Sequence, residues 1–281
     1  MSENFKCYLC GNKNYSVVAK KDQMRFGCYG YDKQVVKCSD CALTQLHPMW
    51  NEEELVKLYS QYSQKEDFVG AKRKKTVTSY LRKYLKKKDF ILEVGCSFGD
   101  NLQKLRGNGY NAIGIDKDPT VCDGKTRLNF DFKDFKGDGH RLDFIYAIQV
   151  LEHMRDPREF ICWISDNLKS NGRLLLEFPN IDDPLLSIYN LREFQSFYWY
   201  PYHLFFYNRK TIEKIFRNFD DLEIDIKLIQ RYGLANHLRW IFLRRPGNFN
   251  ADIPIFDHIY KFVLTKIFKV SDTLLIVGRK K

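Results

Sequence analysis

Four cysteines near the start of the chain, Cys7, Cys10, Cys38 and Cys41, are spaced C-x2-C…C-x2-C. Paired cysteines on tight knuckles can bring four thiolates into the tetrahedron that Zn²⁺ prefers, and with four sulfur ligands such a site is closed, so it holds a fold rather than doing chemistry. The gap of about 27 residues between the pairs is long, but a ribbon can absorb it in a hairpin. Cys28 reads as a spare thiol between the pairs, and Cys96, Cys122 and Cys162 as small apolar fillers. A second constellation lies in ILEVGCSFGD, Ile91 to Asp100, which reads as a buried strand running into a glycine-bearing turn with a helix start at Asp100-Asn101. Gly95 and Gly99 are expected to let the backbone come close to a ligand. The strand-like run NAIGIDKD follows and places Asp116 at its end. An acid there, about 20 residues after a glycine turn, suits the hydroxyls of a ribose and implies a nucleoside-containing cofactor.

The elements that must position these residues alternate in type. Phe90 to Val94 reads as a strand, Asn101 to Asn108 as a helix, Ala112 to Asp116 as a strand and Arg127 to Phe132 as a short third strand. Asp143 to Val150 is a near-continuous apolar run, as a central parallel strand requires. Pro157 to Lys169 reads as a helix, Ser170-Asn171-Gly172 as a turn, and Arg173 to Phe178 as the fifth strand. This series predicts an α/β fold with a doubly wound parallel sheet. Ahead of it, Asn51 to Glu54 gives a cap and an acidic first turn, and a longer helical pattern covers about Ala71 to Lys87. Behind it, Tyr198 to Asn208 is dense in aromatics, Thr211 to Asn218 looks helical, and strands are expected at Leu222 to Gln230 and Thr273 to Arg279. Between those two strands lie the helical patterns Leu234 to Arg245 and Ile253 to Val270. The expected domains are a zinc ribbon over 1–50, a helical linker over 51–88, and a catalytic domain over 89–281 with a helical insertion over 232–270.

The 281 residues, 44% of them hydrophobic, suffice for a full core. No apolar run approaches the ~20 residues of a bilayer span, and MSENFKCYLC lacks a secretory signal, so the cytoplasm is the expected location, where a disulfide reading of the cysteines is weaker. The net charge of +11 favours acidic partners such as nucleic acid, an anionic membrane surface or a phosphorylated small molecule. Part of that charge is clustered in Lys72 to Lys75 and Lys86 to Lys88, which a solvated helix face also explains.

The motifs LEVGCSFGD, GIDKD, LDFIYAIQVLEHMRDP and GRLLLEFPN, in this order, resemble those of class I S-adenosylmethionine (SAM)-dependent methyltransferases from about Phe90 onward. Ser97 stands where the family's E-x-G-x-G-x-G pattern has its middle glycine. The resemblance implies a Rossmann-like sheet and SAM as cofactor. It implies that Glu93, Gly95, Cys96 and Gly99 line the methionine end, that Asp116 takes the ribose hydroxyls, that Asp131 meets the adenine amine with Phe132 against the ring and Asp134 as rival, and that Gln149 and Val150 approach the methionine moiety. The ribbon followed by LTQLHPMWNEEELVKLYSQY, with QRYGLANHLRWIFLRRPG, is similar to methyltransferases of bacterial surface-polysaccharide and nucleotide-sugar pathways. That implies a nucleotide sugar or glycan precursor as the small-molecule substrate.

For transfer to a hydroxyl a base is needed, and histidine suits the role because it titrates near neutrality. His203, in YWYPYHLFFYN where the family often has a histidine, is favoured, with Tyr200 or Tyr202 assisting; His153 in LEHM is the second candidate. An RNA or protein methyltransferase is the competing reading, although nucleic acid is disfavoured because the asparagine/proline tetrapeptide of base-methylating enzymes is absent. A zinc-ribbon binding module with a degenerate core is a third reading, against which the intact Gly95, Gly99 and Asp116 stand. Leu234 to Arg245, with Trp240 and three arginines, fits a lid, a homodimer surface or contact with an anionic membrane.

Overall fold

A computed structural model of the chain describes residues 5–51, 53–55, 57–58, 81–136, 141–245 and 254–281. Most of the expected helix from Ala71 to Lys87, and the basic cluster Lys72 to Lys75, lie outside the described residues. Two compact units divide the chain. One comprises Met1–Val56, Phe178–Asn218 and Ile226–Leu275; the other comprises Lys57–Glu177, Phe219–Asp225 and Ile276–Lys281.

In the first unit, strands β1 (Tyr15–Ala19), β2 (Gln34–Cys38), β3 (Thr44–His47) and β9 (Phe205–Phe206) form a sheet in that order. The β2–β3 pair is an antiparallel hairpin with Cys38 at the end of β2 and Cys41 in the turn, and Val35, Val36, Leu43 and Leu46 are fully buried. Strand β9 arrives from some 160 residues later and pairs Phe206 with Thr44. Trp50 supports the same join, donating from its indole N–H to the Pro201 carbonyl at 2.7 Å.

The sheet that carries the second unit has seven strands: β4 (Phe90–Val94), β5 (Asn111–Asp116), β6 (Arg127–Asn129), β7 (Leu142–Ile148), β8 (Leu168–Pro179), β10 (Leu222–Ile229) and β11 (Thr273–Lys280). Their order is β10-β11-β8-β7-β4-β5-β6, so the last strand inserts between β8 and β10. The pairs β4–β5, β5–β6, β4–β7 and β7–β8 are parallel. Burial on both faces explains why β4 and β7 read as apolar runs: Ile91, Leu92, Phe144, Ile145 and Tyr146 are fully buried. Strand order reverses at β4, flanked by β5 on one side and β7 on the other, and in such sheets ligands bind at the carboxyl ends of the strands at that switch point.

Several boundaries differ from those expected of the sequence. The third strand stops at Asn129, because Asp131 turns the chain by accepting the Lys133 N–H at 3.0 Å. The helix that starts at Pro157 ends at Asn167, and the expected turn is an irregularity inside β8, with Asn171 at φ 63°. Its start is fixed as expected: Asp156 accepts the N–H groups of Arg158 and Glu159, and Pro157 occupies the first helical position.

Candidate cofactor and metal sites

The turn after β4 is held by backbone and by one carboxylate. The N–H groups of Gly95 and Cys96 both donate to the Ile115 carbonyl, at 2.9 and 3.2 Å. Asp116, at the end of β5, accepts the Ser97 N–H on Oδ2 at 2.8 Å and the Asp118 N–H on Oδ1 at 3.0 Å. A carboxylate has about four acceptor positions, so each oxygen retains one. Gly95 and Gly99 have φ of 70° and 76°, which side chains resist. A Cβ at Gly95 would stand 2.5 Å from Val150 Cγ2, and one at Gly99 2.7 Å from Arg127 Cδ. Both glycines are therefore favoured by the chain's own backbone and packing, in addition to the close ligand approach expected of them. Arg127, which the sequence reading passed over, also donates to the Phe98 carbonyl and pairs with Asp123 at 3.4 Å. Ser97 fits the family's middle-glycine position by adopting φ 46°.

Behind this turn lies a buried acid. Glu93 Oε1 accepts from the Asn101 side chain at 3.0 Å, while Oε2 is buried without a well-formed hydrogen bond among the described residues, although the Tyr146 hydroxyl lies beside the carboxyl. Burial pushes its pKa up to about 8, against the lowering effect of Asn101 and of the Tyr146 hydroxyl beside it. Cys96 is buried, and burial raises its thiol well above the ordinary value. On the far side of β4, Gln149 sits at φ 58°, with its N–H on the Glu177 carbonyl at 2.7 Å and its side-chain amide on Glu177 Oε1 at 3.3 Å. Glu177 is almost fully buried. It had no local signal in the sequence, since it reaches Gln149 only through the pairing of β7 with β8.

Asp131 pairs with Lys117 at 2.5 Å; burial raises its pKa, but that pair and the Lys133 N–H hold the carboxyl below the usual range. Phe132 is buried edge-on against Phe160 and Trp163, at 5.0 and 5.6 Å. Phe130, by contrast, is exposed. Asp134 lies in the short turn that Asp131 caps.

The sequence model of a family described as "Methyltransferase domain" matches residues 68–221, more than half of the chain. The chain belongs to this methyltransferase family. Its domain is of the SAM-dependent class, and SAM is its cofactor. Among solved structures, the methyltransferase is similar to a SAM-dependent methyltransferase from Archaeoglobus fulgidus (20% identity, 79% of this chain and 99% of that one, TM-score 0.50). It is also similar to the plantazolicin methyltransferase BpumL in complex with SAH (18% identity, 82% and 91%, TM-score 0.50). At these identities the likeness establishes the fold. Curated relatives are the tRNA U34 carboxymethyltransferases of Aeromonas salmonicida (strain A449) and Aeromonas hydrophila, each 29% identical over 106 residues that make up 33% of this chain. The chain spans about a third of the length of the curated relatives it matches.

In the other unit, the ligand atoms of Cys7, Cys10, Cys38 and Cys41 all lie within 4.8 Å of one another. The Cys7–Cys41 and Cys10–Cys38 sulfur separations are 3.4 and 3.5 Å. A tetrahedron with Zn–S of about 2.3 Å has edges of about 3.8 Å, so the four thiols fit a zinc ion. Each knuckle closes on a left-handed residue: Gly11, at φ 75°, donates to the Cys7 carbonyl, and Ala42, at φ 63°, to that of Cys38. Cys28 is buried and its thiol is pushed up to about 12 by burial, in keeping with a spare thiol.

The candidate bases are each fixed locally. His153 is half-buried in the 3-10 turn Leu151–His153 that follows β7, its N–H on the Val150 carbonyl. His203 is half-buried and stacks on Tyr200, with centroids 5.5 Å apart. Tyr202 is buried, and its hydroxyl donates to the Tyr29 hydroxyl at 2.8 Å.

Proposed function

We propose that this methyltransferase transfers the methyl group of SAM to a hydroxyl of a sugar carried on a nucleotide or glycan precursor, as in bacterial surface-polysaccharide biosynthesis. The observation that carries the cofactor half is the carboxyl end of β4 and β5, where Asp116 retains acceptor positions and Glu93 Oε2 is buried without a well-formed hydrogen bond among the described residues. In this reading Asp116 takes both ribose hydroxyls through charge-assisted hydrogen bonds. Glu93 answers the methionine ammonium, Gly95, Cys96, Gly99 and Gln149 line the methionine end, and Asp131 meets the adenine amine. The exposed Phe130 is better placed than Phe132 to offer a ring to adenine, because Phe132 is already packed in the core.

When bound, SAM supplies a sulfonium methyl that the acceptor oxygen displaces in line, the carbon–sulfur electrons passing to sulfur. The chain must orient the acceptor and take its proton. We assign that proton to His203, with His153 as the alternative and Tyr202 as a positioning hydroxyl. His203→Ala is expected to abolish turnover while SAM binding persists; turnover within a few-fold of wild type moves the assignment to His153. Zn²⁺ at Cys7, Cys10, Cys38 and Cys41 is structural.

The sugar is supported by the similarity of the cysteine ribbon and the segments around it to sugar-modifying methyltransferases, and by the net charge of +11, which suits a diphosphate. A second reading, an RNA acceptor, is favoured by the tRNA-modifying relatives and the same charge. A mass-spectrometric screen for methyl gain decides between them, with SAM and either a panel of nucleotide sugars or unmodified tRNA. Methylated sugar supports the proposal; methylation of tRNA alone overturns it.

A further inference from the structure

Two helices between β10 and β11 break the usual rule of burial. Helix α6 (Leu234–Leu243) turns Asn236, His237 and Trp240 inward and leaves Leu238 40%, Phe242 74% and Leu243 51% exposed. Helix α7 (Pro254–Phe262), continued by a π-helical turn over Val263–Phe268, is anchored by polar groups. Asp257 accepts the Leu234 N–H at 2.8 Å, the Tyr260 hydroxyl meets His237 Nδ1 at 2.6 Å, and Lys261 donates to the Arg231 carbonyl at 3.0 Å. Its other side carries Phe256, Ile259, Phe262, Ile267 and Phe268, each more than half exposed. Phe256, Ile259 and Phe262 fall three apart on one side of the helix, Ile267 and Phe268 follow in the π-helical turn, and Asp257, Tyr260, Lys261 and Leu264 lie on the other side, so α7 has a polar anchored face and an apolar open face. Exposed apolar side chains in such number mark an interaction surface.

The charges nearby select the partner. Over the described residues 234–245 and 254–270, the exposed basic residues include Arg239, Arg245, Lys266 and Lys269, while Arg244 pairs with Glu193 at 3.3 Å, Lys261 is spent on the Arg231 carbonyl, and the one acid of these two stretches, Asp257, is buried under the α6 N-terminus. An isologous contact between two copies would bring this basic patch against itself, which like charges oppose. An apolar face rimmed by Lys and Arg instead matches the boundary of an anionic bilayer, where Phe and Ile enter the acyl edge and the cations meet the headgroups. No helix among the described residues is long and apolar enough to cross a membrane. We infer that the α6–α7 insertion docks this methyltransferase onto an anionic lipid surface. Trp240 takes no part, since it is buried against Leu185, Leu191 and Phe194.

The test is flotation of the full-length, SAM-binding protein with vesicles of phosphatidylcholine alone or mixed equally with phosphatidylglycerol. The expected result is association with the anionic vesicles only, reduced about tenfold or more in Phe256→Ser/Ile259→Ser/Phe262→Ser and in Lys266→Glu/Lys269→Glu. Unchanged SAM affinity and melting temperature of these surface variants would exclude misfolding as the cause, and Phe242→Ser on α6 gives a second, independent variant. Failure to float with anionic vesicles overturns the inference, as does flotation that all three variants retain. A concentration-dependent dimer that the triple variant dissociates also overturns it, by assigning the face to a second copy of the chain.

Discussion

Two buried polar clusters in this chain are built on different logic. In the sheet unit, Glu93, Asn101 and Tyr146 leave capacity unused: Glu93 Oε2 and the Tyr146 hydroxyl lie side by side, both buried, and neither makes a well-formed hydrogen bond among the described residues. In the other unit, Gln230, His237, Tyr260 and Tyr189 close on themselves. The Gln230 amide donates to the Tyr232 carbonyl and meets His237 Nε2, while its oxygen accepts the Asp272 N–H. Because that amide nitrogen is a donor, His237 Nε2 accepts, so its proton sits on Nδ1 and points to the Tyr260 hydroxyl, which in turn meets Tyr189 at 2.8 Å. A satisfied network fixes a fold, whereas an open one costs stability until a ligand completes it. The open cluster lies beside the cofactor turn, and the closed one holds α6 and α7 by their polar faces.

The largest effect is expected at a further closed cluster, the four cysteines. Cys38→Ser is expected to lose the bound zinc by elemental analysis and to cost several kcal/mol, a fall in melting temperature of about 10 °C or more. Retention of one zinc per chain would remove Cys38 from the ligand set. Next in size, His237→Ala leaves Gln230 and Tyr260 without their buried partner and should destabilise the chain by about 2–4 kcal/mol in urea unfolding. Burial pushes the His237 pKa down to about 4. A base with a depressed folded pKa contributes stability above its unfolded value, lost as pH falls through the folded one. The advantage of wild type over His237→Ala should therefore shrink as pH drops from about 6.5 through 4. An advantage independent of pH would contradict the neutral, closed network.

The open cluster titrates the other way, with a smaller effect. Burial raises the Glu93 pKa to about 8, so its acid form is the stable one without cofactor. That contribution is complete below the unfolded pKa and is lost as pH rises through about 8. Glu93→Gln should thus gain on the cofactor-free wild type as pH rises above 7 in thermal melts. The methionine ammonium would ionise Glu93, so SAM binding near pH 7 should release close to one proton, read from calorimetry in buffers of different ionisation enthalpy. Release that persists in Glu93→Gln would show that another group titrates.

Local spacing carried much of this molecule. The C-x2-C pairs predicted a thiol cluster that the structure assembles, and ILEVGCSFGD with Asp116 predicted the turn that Asp116 in fact ties down through the Ser97 N–H. What stayed illegible depends on distant partners. Nothing near Thr44 announces Phe206, and nothing near Gln149 announces Glu177. The glycine turn was read for ligand approach, yet Val150 and Arg127 fill the space a Cβ would need. Helical periodicity in Phe256 to Phe268 defines two faces but not which is inward, and here Asp257, Tyr260 and Lys261 take the inner one. Phe132, read as a ring for adenine, is claimed by Phe160 and Trp163 through the packing of the helix Pro157–Asn167.

Calorimetric titration of SAM into wild type and Asp116→Ala tests the central claim, that the carboxyl ends of β4 and β5 hold the cofactor. Two charge-assisted hydrogen bonds are at stake, so Asp116→Ala should bind SAM about 100-fold more weakly or worse. SAM binding by the variant at wild-type affinity would contradict the account.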